Sequence, residues 1–164
     1  MTKIGLISDT HSYLDDAVFT HFKDCDEIWH AGDFGTIELV RQLQDFKPLR
    51  AVWGNIDGLD IRSQFSETLA FQCEEVKVLM QHIGGYPGRY APGIKNLIRK
   101  EQAQLFISGH SHILKIMFDE SLQCLHMNPG AAGKHGWHKV RTLIRFEVDG
   151  RHMKNCNVIE LGKK

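Results

Sequence analysis

The sequence predicts an α/β protein with a parallel sheet built from its first half and antiparallel strands from its second. Ile4-Gly5-Leu6-Ile7, Ile28-Trp29 and Leu49 to Trp53 are short apolar runs, and the segments between them carry apolar residues at helical spacing. Three consecutive strand–helix units favour parallel strands joined by right-handed crossovers. Beyond His112 the apolar runs crowd together, and two of them meet at Asp149-Gly150, a dipeptide suited to a tight hairpin turn.

Taken in order, Lys3 to Ile7 reads as a buried strand ending in Ser8-Asp9. Leu14, Ala17 or Val18, and Phe22 follow at helical spacing, with Asp15 and Asp16 in the first turn, where the helix dipole favours acids. Ile28-Trp29 runs into Gly32-Asp33, and Leu39, Val40 and Leu43 mark a helix from about Thr36 to Phe46. Pro48 introduces the third strand. After Asp57 the pattern changes: Leu69 to Cys73 and Val76 to His82 are separated only by Glu74-Glu75, which reads as a hairpin. Tyr86-Pro87-Gly88-Arg89-Tyr90 reads as a loop from its Pro and Gly, and Ile94 to Gln102 as a helix with basic residues on its exposed face. Leu105-Phe106-Ile107 is a buried strand, followed by strands at Leu114 to Phe118, Leu122 to His126, Val140 to Val148 and Met153 to Leu161.

A chain of 164 residues is long enough for one well-cored domain, and no linker divides it, so residues 1–164 are expected to form a single domain. The 20 basic and 20 acidic residues cancel, which argues against long nucleic acid or a membrane surface as partner. Cys25, Cys73, Cys124 and Cys156 are isolated, so neither a zinc ribbon nor a disulfide framework is expected. Met1-Thr2-Lys3 leads straight into a strand and no apolar run approaches transmembrane length, which points to a cytoplasmic protein.

The chemistry is concentrated where strands end. Gly109-His110-Ser111-His112 follows Leu105-Phe106-Ile107, and if it stays extended both imidazoles face one site. Neutral imidazole is the commonest nitrogen ligand for a divalent cation. Ser8-Asp9-Thr10-His11, Gly32-Asp33, Gly54-Asn55-Ile56-Asp57 and His82-Ile83-Gly84-Gly85 close other apolar runs in the same way, and strand ends are where α/β sheets place ligands. Asp9, His11, Asp33, Asn55, His82, His110 and His112 are too many ligands for one metal. Two cations roughly 3.5–4 Å apart would use them all.

Asp9-x-His11, Gly32-Asp33, Gly54-Asn55-x-Asp57, His82 and Gly109-His110-x-His112, in that order, resemble the calcineurin-like metallophosphoesterases. The short length and Asn128-Pro129-Gly130 are similar to the small single-domain phosphodiesterase branch, which also contains a retromer scaffold subunit. The resemblance implies a two-sheet β-sandwich flanked by helices, in four αββα layers. It puts Asp9, His11 and His112 on one metal and Asn55, His82 and His110 on the other, with Asp33 bridging; Asp33, Asn55 and His82 form the implied catalytic set. Asp57 would orient Asn55 or a ligand histidine by hydrogen bonding.

The implied reaction is hydrolysis of a small phosphodiester, in preference to a monoester, by in-line attack of a metal-bridging hydroxide. Two divalent cations are the implied cofactors, Mn²⁺ expected, with iron, zinc or nickel fitting the same ligands. A protein-interaction scaffold that retains the fold is the alternative, and a homo-oligomer is expected in either case. Ile56 stands where many larger relatives carry a His that protonates the leaving alcohol. Arg89, Tyr90, His135 and His138 are the expected substrate contacts; His21, His30, His126 and His152 are expected to pack or to face solvent.

Overall fold

The first third of the chain alternates as its pattern predicts in the computed structural model, which describes residues 1–164. Strand β1 (Thr2–Ile7), helix α1 (Ala17–Phe22), strand β2 (Glu27–His30), helix α2 (Ile37–Phe46) and strand β3 (Leu49–Ala51) follow in order, and the three strands pair parallel. Alternation along β1 sends Ile4 and Leu6 to one face and Ile7 to the other. Gly5 lies beneath Phe22, whose ring atoms would stand 2.7 Å from any Cβ there, so α1 seats on the sheet only over a glycine. Helix α1 begins later than its apolar spacing suggests. Asp15 stays outside it and accepts a hydrogen bond from the Ala17 N–H at 2.8 Å.

A short helix α3 (Leu59–Arg62), not evident in the sequence, buries Ile61 against the helical layer. Strands β4 (Thr68–Cys73) and β5 (Val76–Gln81) form the expected hairpin. The segment expected to be a loop is itself a small hairpin, β6 (Gly85–Tyr86) with β7 (Arg89–Tyr90), turning over Pro87-Gly88. Helix α4 (Ile94–Glu101) ends where Gln102 adopts a left-handed conformation. Strands β8 (Leu105–Ile107), β9 (Leu114–Asp119), β10 (Cys124–Pro129), β11 (Val140–Asp149) and β12 (His152–Lys163) complete the chain.

The strands form two mixed five-stranded sheets, which corrects the expected division into a parallel first half and an antiparallel second half. The first sheet runs β12-β11-β1-β2-β3, with β11 antiparallel to β1. The second runs β4-β5-β8-β10-β9, with β5, β8 and β10 parallel and both edges antiparallel. The difference arises because α4 works as a crossover that returns β8 beside β5, while the segment after Pro129 carries the chain back to β1.

Three apolar clusters fix the layer order. Ile4, Leu6, Trp29, Val78, Met80, Ile107 and Phe146 fill the space between the sheets. Val18, Phe22, Leu39, Val40 and Leu43 cover the outer face of the first sheet, and Ile94 and Ile98 of α4 cover Leu79 and Phe106 on the outer face of the second. The result is the four-layer αββα sandwich that the resemblance implied. No helix is long and apolar enough to cross a membrane, and all four cysteines are free thiols, three of them buried.

Candidate metal centre

The loops that leave β1, β2, β3, β5 and β8 converge on one rim of the sandwich, and each carries a polar residue there. Asp9 and His11 follow β1, Asp33 follows β2, Asn55 follows β3, His82 follows β5, and His110 and His112 follow β8. Four of the seven therefore come from the first sheet and three from the second. Two groups of side chains result, each with ligand atoms within 4.8 Å of one another: Asp9, His11 and His112, and Asp33, His82 and His110.

The backbone that presents them is unusual. Asp9 (φ 54°), His11 (44°), Asp33 (60°), His110 (70°) and His112 (61°) all lie in the left-handed region, at a cost of roughly 1–3 kcal/mol each. This corrects the expectation that Gly109-His112 is extended with both imidazoles on one side. At positive φ the two histidines diverge, His110 to the Asp33 group and His112 to the Asp9 group. Asn128 holds the turn, since its Nδ2 donates to the Gly109 carbonyl and to Ser111 Oγ, both at 3.1 Å.

Asp33 joins the two groups. Its Oδ2 lies 3.3 Å from His11 Nε2 and 3.1 Å from His82 Nε2. Asn55 Oδ1 lies 3.1 Å from His82 Nε2 and 3.0 Å from His110 Nδ1, and Asp9 Oδ1 lies 3.2 Å from His112 Nε2. Asp9 Oδ2 accepts from Ser8 Oγ at 2.7 Å and from the His110 N–H at 3.1 Å. Its other oxygen, Oδ1, and His11 Nε2 are buried and make no hydrogen bond of good geometry, although His112 Nε2 and Asp33 Oδ2 respectively lie 3.2 and 3.3 Å away. Buried polar atoms are rarely left this way. Two orphaned atoms, of carboxylate and imidazole type, facing a cluster of further ligand atoms, fit a cation.

Charge in the cluster is mutually compensated. Burial alone would raise Asp9 and Asp33, but the histidines around them hold both carboxyls below the usual carboxylate range. The close carboxylate of Asp33, and then that of Asp9, raises His11 to about 9. Burial and the neighbouring His82 lower His110. Protons on histidine occupy the place a cation would take, so metal binding here is coupled to proton release.

Asp57 is buried, and its carboxylate hydrogen-bonds neither to Asn55 nor to a histidine. Its Oδ2 accepts from the backbone N–H of Asp33 (3.0 Å) and of Gly54 (2.8 Å), and its Oδ1 from Gly35 (3.0 Å). It braces the loop that carries Asp33. Gly54 is needed at the same place, because a Cβ there would collide with Asp33 Oδ1. Ile56 contributes its backbone N–H to Asp33 Oδ1 at 3.0 Å, while its side chain stays 45% exposed.

The four expected substrate contacts separate. His135 stacks on His11 with ring centroids 4.8 Å apart, and His138 meets His112 edge-on at 5.2 Å, so both border the first group. Arg89 lines a cavity together with His110. Tyr90 donates its hydroxyl to Asp119 at 2.6 Å, away from the ligand cluster. Ser8 and Asn128 are positioning groups outside the expected site residues; the hydroxyl directly before Asp9 and the Asn128-Pro129-Gly130 run are the signals that point to them. His30 is buried as expected, stacked on Phe34 with centroids 3.7 Å apart.

The sequence matches the family described as the calcineurin-like phosphoesterase superfamily domain over residues 2–151. A probable metallophosphoesterase of Methanothermobacter thermautotrophicus is 34% identical over 137 residues, covering 78% of this chain and 76% of its own. Among solved structures, an archaeal phosphodiesterase superimposes with a TM-score of 0.77 at 20% identity, over 97% of this chain and 99% of that one. Vps29 of Chaetomium thermophilum superimposes with a TM-score of 0.79 at 14% identity, over the whole of both chains.

Proposed function

The chain belongs to the calcineurin-like phosphoesterase superfamily, and from that premise we propose that it hydrolyses small phosphodiesters at a pair of divalent cations. The observation that carries this reading is the position of Asp33 Oδ2, 3.3 Å from His11 Nε2 in one group and 3.1 Å from His82 Nε2 in the other. Asp9, His11 and His112 would hold one cation, Asn55, His82 and His110 the other, and Asp33 both. Such a pair supplies an activated water at neutral pH and positive charge for the phosphoryl oxygens.

The residues themselves orient and exclude. Ser8 and the His110 N–H fix one oxygen of Asp9 and aim the other at the first group. Ala31 and Asp57 do the same for His82 and for the Asp33 loop. Mixed carboxylate and imidazole ligation suits Mn²⁺. Zero net charge favours a small substrate over a polymer.

The test is hydrolysis of a panel of mono- and diesters by purified protein with and without Mn²⁺, alongside metal analysis. Diester cleavage that requires metal, with two ions per chain, is the expected result. Metal-loaded protein that turns over no ester would overturn the enzyme reading and support a scaffold role.

A further inference from the structure

Two five-stranded sheets leave four edge strands, and three of them are closed to further pairing. β3 and β4 lie on the same side of the sandwich, where the Trp53 N–H donates to the Ser66 carbonyl at 3.1 Å and the Arg50 guanidinium sits 4.8 Å over the Phe71 ring. β12 breaks register against β11 twice, between Arg141 and Thr142 and between Arg145 and Glu147, and irregularities of this kind keep an edge from accepting another strand. β9 has no such protection. Its six residues pair with β10 in unbroken register, and it contains neither proline nor glycine.

The backbone of β9 is only half bonded. The Leu125 N–H donates to the Gln104 carbonyl and the Met127 carbonyl accepts from the Ser108 N–H, so these residues of β10 turn their backbone to β8. Cys124, His126 and Asn128 therefore face β9 and bond Asp119, Met117 and Lys115, which leaves the N–H and C=O groups of Ile116 and Phe118 pointing outward. Ile116 and Phe118 stand opposite Met127 and Leu125, hence on the inward face, yet they are 42% and 52% exposed at the open side of the sandwich. Val158 stands opposite Ile144, on the inward face of β12, and is 43% exposed at the same opening. On the other face of β9, Lys115 lies over the Tyr86 ring without a carboxylate partner, and Asp119 accepts from Tyr90 and Ser121 without a cation.

We propose that two copies of the chain pair antiparallel through β9 about a two-fold axis at Met117, joining their second sheets into one. The strand is complementary to itself in that register. Each Ile116 stands opposite the partner's Phe118, with their outward-pointing backbone groups bonded, and each Lys115 stands opposite the partner's Asp119. Both contacts occur twice, as a two-fold axis requires. An unrelated extended segment could meet the same edge, but this pairing of charge would not select it. Neither metal nor substrate enters the interface, so the pairing is independent of the catalytic reading.

The experiment is sedimentation equilibrium of the purified chain over the micromolar range, with circular dichroism to confirm that each variant is folded. The wild-type protein is expected to be a dimer. In Ile116→Pro the lost N–H is one that points to the free edge, so β10 keeps its bonds while the partner loses one, and the protein should be monomeric. Phe118→Lys, at a side chain already half exposed, should be monomeric too, and it decides alone if the proline variant does not fold. Lys115→Glu sets like charges opposite each other twice and should weaken association at least about tenfold. A monomeric wild-type protein, or a dimer that survives Phe118→Lys unchanged, would overturn the proposal. Unchanged association in Lys115→Glu would overturn the register with Met117 on the axis.

Discussion

His82 Nδ1 donates to the carbonyl oxygen of Ala31 at 2.7 Å, so Nε2 is the nitrogen that faces Asp33, 3.1 Å from its Oδ2, and the one that would ligate once a cation displaces its proton. Ligating histidines are commonly fixed through their second nitrogen in this way. Removing the ring in His82→Ala should lower metal content from two ions per chain to one, because the Asp9, His11 and His112 group is untouched. Asp33→Asn should lower occupancy at both positions and reduce diester hydrolysis by at least about a hundredfold. Wild-type metal content in Asp33→Asn, measured by elemental analysis, would refute its shared position.

Metal should also stabilise the fold. A cation relieves the confinement of Asp9 and Asp33 in one cluster, and binding at a hundredfold excess over the dissociation constant contributes about 2.7 kcal/mol per site. For a chain of this length that corresponds to a rise of roughly 5–10 °C in melting temperature for each site occupied. Melts in chelator and in saturating Mn²⁺ check this, and coincident midpoints would contradict it.

Asp57 accepts three backbone hydrogen bonds, two of them through Oδ2. In Asp57→Asn one side of that arrangement becomes a donor facing N–H groups. Hydrogen bonds to a charged group are each worth about 1.5–3 kcal/mol, so a loss of that order is expected in chemical denaturation. Metal affinity should fall with it, because the Asp33 loop loses its brace. Asp57→Ala and Asp57→Asn should behave alike if the carboxylate is what matters.

Stability should decline in acid through His30. Its Nδ1 accepts from the Gly32 N–H at 3.0 Å, and burial lowers its pKa to about 3 in the folded protein. The unfolded value is near 6.5, so between pH 6.5 and 3 the unfolded state binds more protons. The stabilisation is complete above that window and is lost as pH falls through it. His30→Asn, which keeps an acceptor for Gly32, should be less stable at pH 7 yet show a flatter decline from pH 6.5 to 4. Parallel curves for the two proteins would refute this assignment.

Ile56 cannot donate a proton, so departure of a basic alkoxide lacks the general-acid help that contributes about 10²–10⁴-fold elsewhere. Rates over a series of aryl and alkyl diesters should fall steeply with leaving-group pKa, nitrophenyl esters reacting far faster than alkyl esters. Ile56→His should flatten the slope. A shallow slope in the wild-type protein, abolished by mutating His135 or His138, would show that one of those rings next to the first group acts as the acid.

The candidate ligand residues stood out because each lies close after an apolar run, and strand ends show in the linear pattern. How they are aimed was not legible. Asp9, Asp33, His110 and His112 adopt left-handed backbone, held in part by long-range bonds such as that from Asn128 to the Gly109 carbonyl. The hairpin at Asp149-Gly150 was visible in two residues. The neighbour of β11 across the sheet was not, since Ile4 meets Phe146 through a pairing set by the tertiary fold. The small hairpin at Gly85–Tyr90 escaped because its strands are two residues long and its Pro and Gly dominate the composition. His126 read as packing, and its unpartnered nitrogen is a fact of tautomer and burial that no residue string carries.

Four candidate ligand residues come from one sheet and three from the other, so a bound pair of cations would rivet the two layers together at one rim. The opposite rim is already pinned by the protein itself: the Glu75 N–H donates to the Gly150 carbonyl at 2.9 Å, and the Glu74 carboxylate meets the N-terminal ammonium at 2.9 Å and accepts from Thr2 Oγ at 2.7 Å. The two layers would then be clamped at both rims, by cations at one and by the protein's own polar contacts at the other, and a chelator would loosen only the first.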